Sequence, residues 1–343
     1  MRKLVSIRRC NKVWPIPKAD RLEAVQVGGW VTAVQKGAFA PGDLGVFFEI
    51  DAYLPVSDPR YDFFPLERMT FDGVVGIKVA SRELRGQITQ GLFLPLHQFP
   101  EIANPEEGQD VTDLLGIRKY EREIPSELVG LISGRAPGIV DDTALERIQN
   151  LPEAFEEWGE LEFEPLLKLN GMSLSMFQFD GTFRICTKEN ELIDTPENKP
   201  WVLAREFDMP QALAKIGGNF AVQGELIGHN IGSNKERVPN KGHEFHIFNI
   251  WNCNTSQSLL PAERYEFVRE LQGYGCGFKH VPRLGEPRKL KDFGANQQAL
   301  IDLVTGPTVL YPGGRREGAV FRSMTTQDKF KVISDKFLLK GGD

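Results

Sequence analysis

Short apolar runs broken by turn signals dominate the first hundred residues. Over 3–10, 23–35, 43–50, 73–81 and 90–96, apolar positions alternate with polar ones or fuse into stretches of strand length. Lys36-Gly37 and Pro41-Gly42-Asp43 punctuate them. Several short strands at this spacing predict a small barrel, for which an OB-like fold is the natural candidate. Residues 99–160 lose the alternation and gain charge. Two short helical patterns are expected there, the clearer over 142–155 (DTALERIQNLPEAF). Strand patterns return over 165–179, 182–188, 220–228, 244–251, 317–323 and 328–334. Helices are expected over 261–272, opened by Pro261, and over 296–304. The expected organisation is a β-rich OB-like barrel over 1–110, a connector over 111–160 and an α+β domain with antiparallel sheets over 161–343.

Composition narrows the class. The chain has 343 residues and is 41% hydrophobic, enough for a sizeable core. No apolar run approaches a membrane span, and MRKLVSIRR lacks a signal-peptide apolar stretch, so a cytoplasmic protein without membrane partners is expected. Cys10, Cys186, Cys253 and Cys276 form no C-x-x-C pair and read as reduced thiols. A net charge of −6 excludes a protein held to nucleic acid mainly by bulk positive charge, but not one with a local basic groove.

Five segments carry candidate chemistry, and their order matters more than any one of them. Lys168-Leu169-Asn170-Gly171 offers an amine that becomes a phosphorus nucleophile if burial or a nearby cation lowers its pKa. The glycine would let backbone approach a ligand closely. Alone, the same four residues also describe a surface lysine before a turn. Gly224-Glu225 sets a carboxylate in an apolar strand, suited to a ribose hydroxyl or a metal-bound water. In the strand 245–250, alternation puts Phe248 and His246 on one face, and Phe248 could stack on a base or simply fill the core. Glu317-Gly318 offers a second acid, of the kind hard Mg²⁺ takes together with phosphates and waters. Lys329 and Lys331 point the same way from a strand, as cations around a triphosphate or phosphodiester would, or as edge lysines do.

This ordered set resembles motifs I, III, IIIa, IV and V of the covalent nucleotidyltransferases, the superfamily of ATP-dependent DNA ligases, RNA ligases and capping enzymes. Its span, 168–331, fills most of the second domain. The stretches 19–55 and 82–95, with ERIQN at 146–150, are similar to RNA ligases that carry an OB-like domain ahead of the transferase domain, the bacterial-type nick-sealing group called RNA ligase family five. DNA ligases and capping enzymes place their OB domain afterwards, and only about a dozen residues follow Lys331 here.

The resemblance implies an ATP-grasp-like ligase adenylation domain that uses ATP and Mg²⁺ (or Mn²⁺), acts on RNA or an RNA-containing nicked duplex, and works as a monomer. It assigns Lys168 the lysyl–AMP adduct, Phe248 adenine, Glu225 the ribose or a metal-bound water, Glu317 the metal shell, and Lys329 and Lys331 the phosphates. Arg147 would reach the β- and γ-phosphates. The sequence departs from the pattern twice. Asn170 stands where an aspartate is usual, so it would orient a metal-bound water without adding charge. Lys188, with Arg184 nearby, stands where an arginine is usual, and lysine lacks the bidentate fork. Lys78, Arg82 and Arg85 are expected to touch nucleic-acid phosphates. A DNA ligase, a guanylyltransferase, or a nucleic-acid-binding protein with an inactive transferase domain are the competing readings.

Overall fold

A computed structural model describes residues 3–62, 68–120, 131–141, 143–231 and 234–339. The chain divides into two compact units. One comprises Met1–Glu123 with Ile148–Pro152 and Leu338–Asp343, the other Ile124–Arg147 with Glu153–Phe337.

The first unit is built from β1 (Val5–Pro15), β2 (Leu22–Val27), β3 (Trp30–Gln35), β4 (Leu44–Phe48), β5 (Ala52–Pro55), β6 (Met69–Phe71), β7 (Val74–Lys78), β8 (Arg82–Leu84), β9 (Gln87–Thr89), β10 (Leu92–Pro95) and β11 (Arg118–Lys119). They form a five-stranded sheet in the order β10-β4-β1-β2-β3, a four-stranded sheet β11-β5-β7-β6 and the β8–β9 hairpin. β1 is long because it serves two neighbours. Its Val5–Arg9 half pairs with β4 and its Cys10–Pro15 half with β2, with a register shift between Cys10 and Lys12 where the strand bends. Alternation turns Val5, Ile7, Val46, Phe48 and Leu54 into one buried core.

The second unit opens with β12 (Ile132–Arg135) and the short α1 (Ala154–Trp158). There follow β13 (Glu162–Lys168), β14 (Met172–Phe179), β15 (Thr182–Thr187), β16 (Asn190–Leu192), α2 (Lys199–Glu206), α3 (Met209–Ile216), β17 (Phe220–Gly228), β18 (His243–Asn252), β19 (Gln257–Ser258), α4 (Pro261–Gly273), β20 (Lys279–His280), β21 (Arg288–Lys289), α5 (Leu290–Phe293), α6 (Gln297–Val304), β22 (Gly318–Ser323) and β23 (Lys329–Ile333). One sheet runs β12-β16-β15-β14-β17-β18-β19, with β20 beside β18, and a smaller one runs β21-β13-β22-β23. The large sheet is covered by α2, α3 and α4 through Trp201, Leu213, Phe267 and Leu271, which pack on Leu174, Met176, Val222 and Ile247. This is an α+β domain whose strand pairs are antiparallel except for β18 with β20, which run parallel.

Two local expectations change. The helix expected over 142–155 is not continuous: residue 142 lies outside the described residues, Ile148–Asn150 forms a 3-10 turn, and α1 begins only at Ala154, after Pro152. The preceding residues are recruited by β23 instead, since the Lys331 amide donates to the Glu146 carbonyl at 2.9 Å. Conversely, α2 and α3 were not among the expected helices, although Met209, Ala212, Leu213 and Ile216 of α3 stand at helical spacing. Each is only eight residues long with a proline in its first turn. Among the described residues, no helix is long and apolar enough to cross a membrane. All four cysteines are buried free thiols.

Candidate active site

A cleft of about 300 Å³ lies where the two sheets of the second unit meet. Lys168 sits at its edge because it ends β13, and that strand pairs residue for residue with β22, Lys168 opposite Gly318. The register brings Glu317 to the lysine: Nζ lies 2.6 Å from Glu317 Oε1. Burial opposes the lysine's charge, but Glu317 and Glu225 outweigh it and hold the amine above its ordinary value. This differs from the lowered pKa expected for a nucleophile, because two carboxylates surround the amine and the Arg147 cation offsets them only in part.

The turn after Lys168 is braced by acids. Gly171 N–H donates to Glu225 Oε1 at 2.9 Å, and Asn170 N–H donates to Glu236. A Cβ on Gly171 would overlap the Leu226 carbonyl oxygen. The close approach that glycine permits is therefore to β17, not to a ligand as the sequence suggested. Burial pushes the Glu225 carboxyl up to about 8, with Lys168 opposing and Glu317 adding to the rise. Burial likewise lifts Glu236 to about 7. Three buried acceptors here have no hydrogen-bond partner among the described residues: Asn170 Oδ1, Glu236 Oε1 and Glu317 Oε2. They are hard oxygen donors short of positive charge, which suits a divalent cation. No three His, Cys, Asp or Glu side chains among the described residues form a ready-made metal cage, so waters and phosphate oxygens would have to complete the shell.

Phe248 reaches the cleft through a defect in the ladder. Gln223 pairs with Asn249 but Gly224 pairs with Ile247, so Phe248 is the extra residue of a β-bulge. Both Phe248 and Asn249 then line the cleft, which strict alternation would forbid. His246, expected on the same face as Phe248, is instead buried and bonded through Nε2 to Glu244 at 2.8 Å.

Lys329 and Lys331 both line the cleft, while Phe330 between them is fully buried. Lys329 Nζ is 3.4 Å from Asp141 Oδ2. Lys188 lines the cleft from the end of β15. Arg184 lies on the same strand beside Glu191 at 3.9 Å and is not part of the lining. Arg147 is buried, its backbone bridges to that of Lys331, and it is not part of the lining. In the first unit, Lys78 is held 3.4 Å from Asp51 and 5.3 Å over the Tyr120 ring. Arg82 and Arg85 are exposed on the β8–β9 hairpin.

Sequence reasoning missed Arg322. It is 7% exposed, lines the cleft, and donates from Nη1 to Asn249 Oδ1 at 3.1 Å. Asn249 Nδ2 donates in turn to Gln223 Oε1 at 2.7 Å, and Gln223 Nε2 to Ser175 Oγ at 3.0 Å. Burial, and then the Arg264 cation, push the Arg322 guanidinium down to about 9. An arginine inside the apolar strand GAVFRS was the available signal. Glu236 lies in a polar loop and carried none.

Two largely antiparallel sheets holding a lysine between carboxylates at the edge of an aromatic and cationic cleft, preceded by an OB-fold domain, are the build of a nucleotidyl-transferring ligase. The OB-fold domain profile matches residues 4–96 and the RNA ligase profile matches 163–340. The chain belongs to the RNA ligase family. The structure of a Naegleria gruberi RNA ligase with pyrophosphate is 36% identical, with 100% of each chain covered and a TM-score of 0.93. A lysine-to-methionine variant of that ligase with AMP and manganese is 36% identical over 98% of each chain, at 0.92. A glutamate-to-alanine variant with ATP and manganese is 36% identical over 100% of each chain, also at 0.92. No curated protein matches significantly.

Proposed function

We propose that this chain is an ATP-dependent RNA ligase that joins 3′-hydroxyl and 5′-phosphate ends at nicks in duplexes. One observation carries the reading: Lys168, Lys188, Glu225, Phe248, Lys329 and Lys331 line a single cleft, with Glu317 on the Lys168 amine. The order of an OB-fold domain before the ligase domain supports placement in the nick-sealing group, family five. The Naegleria complexes with ATP, AMP and manganese support the choice of nucleotide and metal.

In the first step Lys168 Nζ gives up a proton to solvent and attacks the α-phosphorus of ATP. An N–P bond forms, the bond to pyrophosphate breaks, and lysyl–AMP remains. Phe248 stacks on adenine and Glu225 takes the ribose, so that the α-phosphate is presented to the amine. Lys329 and Lys331 face the phosphates and stabilise the charge that develops on them, with Lys188 and Arg147 as further contacts. A divalent cation held through water by Glu317 and Glu225, with Asn170 orienting a water, would neutralise phosphate charge and relieve the two carboxylates that keep Lys168 protonated. AMP then passes to the 5′-phosphate of the RNA, and a 3′-hydroxyl attacks that adenylylated end and releases AMP. Arg82 and Arg85, with Lys78, contact nucleic-acid phosphates from the OB-fold domain.

Intact mass after incubation with ATP and Mg²⁺ tests the reading. A gain of one AMP, absent in Lys168→Ala, is expected, and transfer from GTP alone would overturn it. No gain with either Mg²⁺ or Mn²⁺ would leave a nucleic-acid-binding protein.

A further inference from the structure

Asn170 is neutral where the ligase reading calls for an acid, and the structure sets a different acid against it. Glu236 lies in the loop between β17 and β18 and is 1% exposed. Its carboxylate accepts from the Asn170 N–H and, through Oε2, from Thr308 Oγ1 at 2.7 Å. The loop that carries it is fastened. Asn234 accepts from the Val238 N–H at 2.9 Å and donates to the Val238 carbonyl at 3.0 Å. Val238 in turn packs in one core with Leu166, Leu167 and Leu169, which flank the nucleophile. The adenylylation steps leave Glu236 unused.

Bracing the turn after Lys168 does not by itself call for a carboxylate. A glutamine could accept the same bonds and would avoid burying a charge. Glu236 Oε1 has no hydrogen-bond partner among the described residues, and the same holds for Asn170 Oδ1 and Glu317 Oε2. Glu236 is within electrostatic reach of Lys168 and Glu317, and Glu225 is within reach of Glu236. Lys168 meets only the other oxygen of Glu317, at 2.6 Å. An ordinary water would satisfy an orphan acceptor but brings no charge to a buried carboxylate. A hydrated divalent cation brings both, since it keeps several waters as donors when it binds beside phosphates. No three acids among the described residues form a direct cage, so Glu236 would act on the cation through water.

We propose that Glu236 holds a water of the divalent cation's shell and supplies the negative charge that Asn170 lacks, resting on the ligase reading for the cation itself. Asn170 orients the water, and Glu236 beside it carries the charge that an aspartate at position 170 would carry.

Mn²⁺ binding to the full chain tests this without turnover. It is read by electron paramagnetic resonance in the presence of an ATP analogue with a methylene between its α- and β-phosphates. Glu236→Gln is expected to weaken Mn²⁺ binding about tenfold, as loss of an outer partner of a metal does, and to keep the metal-free melting temperature close to the parent's. Asn170→Asp added to Glu236→Gln should restore the affinity to within about threefold of the parent. A mere brace would not be rescued this way, because an acid at 170 replaces neither the Thr308 bond nor the bond to the Asn170 N–H. Crystals of the parent with Mn²⁺ and the analogue should show a metal-bound water on Glu236 Oε1, which decides the matter should Glu236→Gln fail to fold. An unchanged affinity in Glu236→Gln, no rescue by Asn170→Asp, or a metal shell that reaches only other residues would each overturn the role. Intact mass of the parent with ATP separates this from the ligase reading. With lysyl–AMP formed, those results sink only the role of Glu236. Without it the ligase reading fails, and the Mn²⁺ titration alone decides whether Glu236 serves a cation.

Discussion

Lys168 and Glu317 are joined by more than their 2.6 Å contact: the strand that ends in the lysine pairs with the strand that follows the acid, so sheet register sets their separation. Glu317 is one of two carboxylates that keep the amine protonated, and its Oε2 is a buried acceptor turned to no partner among the described residues. Glu317→Ala is therefore expected to fold normally and to lose lysyl–AMP formation by about a hundredfold, the upper range for residues that support a metal. Mass spectrometry over a time course reads this directly. A rate within threefold of the parent would show that Glu317 is only a structural partner of the lysine.

Phe248 owes its place to the bulge opposite Gly224, and a Cβ on Gly224 would overlap the Phe245 ring and lie 2.6 Å from the His246 carbonyl oxygen. Gly224→Ala should cost about 1–3 kcal/mol in urea unfolding, as overpacking does. Phe248→Ala should cost some stability, because the ring packs partly on the core around Leu166 and Val281, and should raise the KM for ATP about tenfold, given about 1–3 kcal/mol for stacking a base on an aromatic ring. An unchanged KM would remove adenine stacking from the reading.

Glu164 is fully buried between Arg264 and Arg283. Its replacement by glutamine leaves the buried Arg264 guanidinium without its ion-pair partner and Arg283 with only the exposed Glu286. Breaking one partner of such a set costs about 3–5 kcal/mol. Circular dichroism of Glu164→Gln should show a clearly lower melting temperature, and a melt matching the parent would contradict the arrangement.

His280 predicts how stability responds to acid. Its Nδ1–H donates to the Val281 carbonyl at 2.7 Å, and its Nε2 accepts from Arg264. Burial, and then the Arg264 cation, push the imidazole down to about 3 from an ordinary 6.5. Below pH 6.5 the unfolded chain takes up a proton that the folded chain refuses. The stability this group contributes is thus full above that pH and drains away as pH falls toward about 3. Between about pH 7 and about pH 5 the loss is about 2 kcal/mol. Urea titrations at the two pH values should show it, and His280→Gln should flatten the slope. An equal slope in the variant would assign the acid sensitivity elsewhere.

The strands were legible because alternation over 165–179 or 317–323 depends only on neighbours in sequence. The order of Lys168, Glu225, Phe248, Glu317 and the two lysines was legible for the same reason, each standing in a short segment with its own pattern. What stayed hidden depends on contacts distant in sequence. The bulge at Phe248 exists only in the pairing of β17 with β18. Glu236 approaches Asn170 from a loop with no periodicity. The residues 143–147 looked helical by local propensity, and pairing with β23 overrode it. The lysine's protonation followed from the sum of surrounding charges, which no segment states alone.

The ladder between β13 and β22 also dictates where this protein tolerates insertions. Because side chains alternate with a period of two, one residue added within either strand would turn the acid away from the lysine, whereas residues added in an exposed turn leave the register untouched. Gly181, in the turn between β14 and β15, has open space around it. A reporter peptide or affinity tag placed there would leave the nucleophile and its acid aligned.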